Sequence, residues 1–233
     1  RGKTSAWLKY TPEYAILAGD YLLARVMVNL SAFGNIKLIQ LTSIAISDLI
    51  EGEWLQDDQV KKMDVTLAQM DRVHILKTGS LFQWCLRAPF LALNDTREEL
   101  HLLLQKIGHI LGLLLQRSDD LLDFDIRNNE RKNVMGDLQS GYVNSFCAFL
   151  FLDKSSEEKK HLSQQSDLDS FKQIFGREAF VEKQKSFDAI NTQLIEDYEN
   201  LLTQLQSYLL KEQKALIDIL QPLSKPIYWR EAP

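Results

Sequence analysis

Residues 108–124, GHILGLLLQRSDDLLDF, carry the side chains best suited to chemistry. On a helix, Gln116, Asp119, Asp120 and Asp123 share one face, because neighbours three and four apart stack on each other. Three carboxylates within one turn repel, at a cost of roughly 0.2–0.5 kcal/mol per pair. They also fall near the C-terminal end of the helix, where the macrodipole disfavours negative charge. A divalent cation reverses both penalties. Magnesium takes one or two carboxylates and completes its octahedron with water and phosphate oxygens. The expectation is therefore a magnesium site on Asp119, Asp120 and Asp123; the alternative is a solvated acidic helix end. Gly112 and Gly108 continue the same face, and each costs a helix interior about 1 kcal/mol relative to alanine. Two explanations stand side by side: close packing of a second helix, or room for an apolar ligand below the ion. His109 flanks the stripe and reads as a core or hydrogen-bonded histidine.

The elements that must hold this face are helical throughout. Only 10 Gly and 5 Pro interrupt 233 residues, and strand-like alternation is scarce. Helices are predicted over 12–33, 36–56, 59–78, 80–93, 96–125 and 177–211, with shorter ones at 141–152 and 213–220. Thr11 caps the first, with Pro12 at its first position, and Gly34-Asn35 ends it. Pro89 is expected to break the fourth, and Asn94 or Asp95 to cap the long acidic one. Residues 126–137 read as a polar loop, 153–170 as a charged surface segment, and the Pro-rich tail as extended. With no repeat or linker, one all-α antiparallel bundle around a central cavity is the economical architecture.

Bulk properties narrow the function. Hydrophobic residues make up 45% and charged residues 25%, an ordinary globular composition. A net charge of −5 argues against a nucleic-acid binder. No apolar run reaches the ~18 residues of a spanning helix, and no signal peptide stands at the start; a cytoplasmic location is expected. Cys85 and Cys147 read as buried, reduced thiols. The opening Arg1-Gly2-Lys3, without methionine, reads as the loss of an N-terminal part of the domain.

GLLLQRSDDLLDF resembles the second aspartate-rich motif of trans-prenyl (polyprenyl) diphosphate synthases, FQ-x-x-DD-x-x-D. YAILAGDYLLAR (14–25), DLIEGEWLQ (48–56) and LKTGSLF (76–82) resemble, in the correct order, that family's AVLAGDYLLARA, GE-x-x-Q and KTASLF segments. RGKTSAWLK resembles the stretch after its RRG element. The likeness covers about residues 1–150. It implies a homodimeric, magnesium-dependent isoprenoid synthase bundle. Such an enzyme ionises an allylic prenyl diphosphate and joins it to isopentenyl diphosphate, giving an all-trans polyprenyl diphosphate. By the same resemblance, Lys77, Thr78 and Gln116 hold the allylic diphosphate and the developing cation, and Arg1 grips isopentenyl diphosphate. Glu53 and Gln56 share one helical face (i, i+3) in the bundle interior and support the substrate-binding groups.

The chain also departs from that pattern. The first aspartate-rich motif and the isopentenyl-binding Lys-x-x-Arg belong ahead of Arg1. Lys132 stands one residue off the position of the family's loop lysine, where Asn133 falls, yet a loop can absorb the shift and let Lys132 reach the diphosphate. Tyr142, Asn144 and Phe146 replace a Lys, a Thr and a Pro. These replacements motivate an alternative, a non-catalytic subunit of a heteromeric synthase; a terpene cyclase is more distant. DDQVKKMD (57–64) lacks the motif's turn spacing and reads as a solvated helix junction.

Overall fold

The computed structural model describes residues 4–125 and 134–229; Arg1, Lys132 and most of the polar loop lie outside the described residues. Helix α1 (Ala6–Lys9) leads into α2 (Pro12–Ser31) and α3 (Ile36–Gln59). Thr11 accepts a hydrogen bond from the Tyr14 amide, and Asn35 caps α3 through the Lys37 and Leu38 amides. Gly34 takes φ +64° between them, a conformation that glycine adopts without a Cβ penalty.

The next helix begins later than predicted. A capping box between Thr66 and Gln69 starts α4 (Leu67–His74), leaving Asp57, Asp58 and Asp64 on an exposed junction. α4 then runs without interruption through a wide π turn (Ile75–Gly79) into α5 (Ser80–Ala92). The predicted break at Pro89 does not occur. The carbonyl that loses its donor is that of Cys85, an exposed residue, where solvent can take the bond. Cys85 therefore departs from the buried thiol expected of it, while Cys147 is buried.

The acidic helix is α6 (Glu98–Leu122). Its cap differs from both expected residues. Arg97 occupies the cap position without a side-chain bond to the helix's first amides, Asn94 turns left-handed at φ 61°, and Asp95 instead binds the Arg97 guanidinium at 2.9 and 2.5 Å. Beyond it lie α7 (Gly136–Gln139), α8 (Ser145–Leu150), α9 (Ser156–Ser163), α10 (Leu168–Phe175) and α11 (Arg177–Tyr208). After a 3-10 turn come α12 (Ala215–Leu220) and α13 (Ser224–Tyr228). α13 corrects the extended tail: Pro226 sits in the first turn of a helix, where its missing N–H has no ladder partner to lose. Among the described residues there is no strand, and no helix long and apolar enough to cross a membrane.

α6 is the central rod. Leu100, Leu104, Ile107 and Leu111 bury one side of it against Tyr198, Leu202 and Leu205 of α11. Its other side meets the π turn and α5 backbone to backbone. A Cβ on Gly108 would stand 2.4 Å from the Gln83 nitrogen, and one on Gly112 2.5 Å from the Gly79 Cα. Close helix packing, not room for a ligand, therefore explains the glycine stripe. The charged segment after residue 153 folds because Phe171, Phe175 and Phe180 join Phe124, Phe146 and Phe187 in one aromatic core. Each buried ring contributes roughly 1.5–3 kcal/mol. No residue of α2 is fully buried: Leu30 packs in part on α3 and α5, while Tyr14, Leu17, Tyr21 and Leu22 are 62–69% exposed.

Candidate active site

The predicted carboxylate face does point into a cavity. Asp119, Asp120, Asp123, Lys77, Gln116 and Gln56 line a space of about 400 Å³ at the end of α6. Asp120 Oδ2 accepts the Ser145 amide at 2.8 Å, so the N-terminus of α8 braces it. Asp123 accepts the Gly136 and Asp137 amides at 3.1 and 3.4 Å. The chain after the polar loop thus returns to clasp both carboxylates from behind.

The facing wall comes from the π turn. Such a turn closes with an i→i+5 bond and tends to occur at functional sites; here the Ser80 amide reaches the Ile75 carbonyl. The Leu76 carbonyl, freed by that shift, accepts the Ser80 hydroxyl at 2.5 Å. The Lys77 ammonium lies 2.8 Å from Glu53 Oε1 and donates to Gln56 Oε1 at 2.5 Å. Glu53 and Gln56 therefore meet on Lys77 as their shared face predicts, but Glu53 is exposed rather than interior. Gln116 Nε2 donates to Thr78 Oγ1 at 3.0 Å, joining α6 to the π turn.

Sequence reasoning assigned no site role to two residues on this cavity, Asp137 and His74, and knew a third, Tyr142, only as the replacement of a family lysine. Asp137, the last residue of the predicted loop and here part of α7, adds a fourth carboxylate; its Oδ2 accepts Asn144 Nδ2 at 3.1 Å. His74, on α4, is 5% exposed and places Nε2 3.4 Å from Asp120 Oδ2. Tyr142 lines the cavity with its phenol, which points to the Met70 sulfur at 3.7 Å. Of the three replaced family positions, Asn144 caps α8 through the Cys147 amide and donates to the Asp120 carbonyl, while Phe146 is core. Helical spacing could have found His74, which falls one turn before Lys77 and Thr78. No local signal marks Asp137, because it reaches the cavity only by the return of the chain.

Electrostatics suit a cation. Burial pushes the Asp120 carboxyl up to about 7, and burial together with Asp137 pushes Asp123 up to about 6. Burial pushes His74 down to about 4. Hard oxygen donors crowded at like charge are the donor set magnesium accepts. Among the described residues no three His, Cys, Asp or Glu side chains already surround a common ion position, so ligand oxygens must complete any such site. A protonated carboxyl is a poor ligand. Magnesium affinity in the presence of inorganic diphosphate should therefore fall as pH drops from about 7 towards 5, on the order of tenfold per unit for each proton displaced. Calorimetric titrations at about pH 8 and about pH 5.5 check this; equal affinities would contradict it. In the metal-free protein the sign reverses. Raised carboxyls stabilise the fold below their unfolded value near 4, and that contribution is lost as pH rises through 6 and 7. His74 opposes them between about 4 and 6.5.

The sequence model of the polyprenyl synthetases matches residues 1–176. The chain belongs to the polyprenyl synthetase family. Among the family's curated members, it is 32% identical over 142 residues to the octaprenyl diphosphate synthase of Escherichia coli (strain K12), a match covering 60% of this chain and 44% of that protein. It thus spans under half the length of that relative. The heptaprenyl diphosphate synthase of Staphylococcus aureus superposes with a TM-score of 0.72 at 27% identity, over 98% of this chain and 71% of that one. A polyprenyl synthase from Caulobacter crescentus CB15, crystallised with calcium and isoprenyl diphosphate, shares the fold at a TM-score of 0.72 and 20% identity, over 99% and 70% of the two chains. These structures agree with the all-α bundle expected from the sequence.

Proposed function

We propose that this chain is the catalytic part of a trans-polyprenyl diphosphate synthase, condensing isopentenyl diphosphate with an allylic prenyl diphosphate. The observation that carries the reading is the meeting of Lys77 with the Asp119, Asp120 and Asp123 carboxylates across one cavity. Bound magnesium, held by those carboxylates, would supply positive charge against which the allylic diphosphate leaves. Lys77 has three N–H donors; Glu53 and Gln56 occupy two and leave one for a phosphate oxygen. Gln116 spends its amide N–H₂ on Thr78, which keeps its own carbonyl oxygen for the allylic cation. Neither group is a nucleophile strong enough to trap that cation. Arg1 and Lys132 remain assigned to isopentenyl diphosphate and to the diphosphate mouth by resemblance alone. The exposed tyrosines and leucines of α2 suit burial against a second copy, as a homodimer requires.

The test is incubation of the full-length protein with labelled isopentenyl diphosphate, magnesium and separate allylic primers of increasing length. Lys77→Ala should cut turnover on the order of 10²–10³-fold with an unchanged circular dichroism spectrum; near-normal rates would remove Lys77 from the mechanism. Tyr142 favours a second reading, because an uncharged ring lines the cavity where the family pattern carries a lysine. If the full-length protein elongates no primer alone but does so once a homologous subunit is added, it is the non-catalytic subunit of a heteromeric synthase.

A further inference from the structure

Beneath the carboxylate face runs a buried polar network that the chemistry above does not use. Arg117, one turn before Asp120 on α6, is 4% exposed. Its Nε and Nη2 donate to Asp71 Oδ1 at 3.0 and 2.8 Å, and Nη2 also reaches Oδ2 at 2.7 Å. Its Nη1 donates to Asn191 Oδ1 of α11 at 2.9 Å. Asn191 Nδ2 in turn donates to the Tyr228 hydroxyl at 3.1 Å, and that hydroxyl donates to Asp188 at 2.7 Å. One residue along α6, Ser118 Oγ donates to the Tyr228 carbonyl at 2.8 Å.

Position 117 lies between Leu114 and Leu121, on a side of α6 that otherwise packs apolar groups. A leucine or methionine would satisfy that packing. The guanidinium is buried while the Asp71 side chain keeps 24% of its surface exposed; ion pairs taken this far out of water lose so much hydration that apolar replacements of similar volume are often as stable or more so. Stability alone is therefore a weak reason for this pair. Geometry is a stronger one, since a bidentate fork fixes both the separation and the rotation of the groups it joins. Asp71 lies one turn before His74 on α4, and His74 stands 3.4 Å from Asp120. The two helices are thus joined by the ion pair, and one turn further on His74 of α4 lies against a carboxylate of the site.

We propose that the Asp71–Arg117 ion pair is a positioning device for the metal site, fixing α4 against α6 so that Asp120 is presented to the ion, with Tyr228 of α13 completing the brace through Asn191. The proposal rests on Asp119, Asp120 and Asp123 being metal ligands. Asp71 and Arg117 act through Asp120 and do not touch substrate.

The decisive variant removes both charges together, so that neither is left buried alone: Asp71→Leu with Arg117→Met, made in the full-length protein. Magnesium affinity is read by calorimetry with inorganic diphosphate, beside the thermal midpoint, kcat and KM. Retained folding, magnesium affinity weakened at least tenfold, kcat lowered with it and KM for isopentenyl diphosphate unchanged are the expected results. Arg117→Lys, which keeps the charge but not the fork, should fall between the paired variant and the unaltered protein. A folded paired variant that binds magnesium as tightly as the unaltered protein overturns the proposal. If the paired variant does not fold, Arg117→Lys and Tyr228→Phe decide: weakened binding supports positioning, and unaltered binding in both makes the network merely structural. An unaltered protein that binds magnesium and diphosphate but elongates no primer sinks only the elongation reading. One that binds neither sinks the positioning role together with the metal site.

Discussion

Asp120→Asn and Asp119→Ala should each lower magnesium-dependent turnover by at least on the order of 10³-fold, because on the proposed reading each removes an oxygen that would share charge with the ion as diphosphate departs. The two variants should differ in stability. Asp120 is buried, and its carboxyl is pushed up to about 7 by that burial. An asparagine keeps an acceptor for the Ser145 amide and carries no charge into the interior. The metal-free Asp120→Asn protein should therefore match or exceed the unaltered protein in thermal midpoint at about pH 8, above the raised value. A scan of both proteins with and without magnesium diphosphate separates the effects: the ligand should raise the midpoint of the unaltered protein only. Equal stabilisation of both would place the ion elsewhere.

Gly112→Ala should destabilise the fold in spite of alanine's better helix propensity. The added Cβ would lie 2.5 Å from the Gly79 nitrogen and Cα, and 3.1 Å from the Thr78 carbonyl carbon. All three are backbone atoms, so no side chain can swing aside and the π turn must move away from α6. Overpacking of this kind costs about 1–3 kcal/mol against a propensity gain of about 1 kcal/mol. Shifting Thr78 also breaks its bond with Gln116 and displaces Lys77, so activity should fall further than stability. Gly19→Ala is the control. It lies in α2 with nothing within 4 Å of its added Cβ, and it should raise the thermal midpoint. If the two substitutions change the midpoint alike, the α6 contact is looser than described.

The carboxylate face was legible because it is local: Gln116, Asp119, Asp120 and Asp123 are related by helical spacing alone, and one helix delivers them together. The resemblance of LKTGSLF supplied Lys77 and Thr78 without any knowledge of the turn that carries them. The π turn lies where α6 meets the backbone of Thr78 and Gly79, a contact no periodicity records. Asp137 and Ser145 were illegible for a related reason, since they reach Asp120 and Asp123 through a loop and not through spacing. The face shared with Gln56 misled at Glu53, placing it in the interior although its carboxylate is largely exposed and meets the cavity through Lys77. The glycines left two explanations open because cavity and close contact demand the same residue; only the backbone opposite decides between them. Asp71 and Arg117 are 46 residues apart, and neither stands out until the helices meet.

Where α6 meets the π turn and α5 at Gly108 and Gly112, backbone stands against backbone and no side chain can swing aside. Between Ile44 and Asp48 on one side and Ile75, Gln83 and His109 on the other lies a second cavity of about 710 Å³. If the proposed allylic tail enters that space, a bulkier one meets side chains of α3 there, whereas at Gly108 and Gly112 it would meet backbone pressed on backbone.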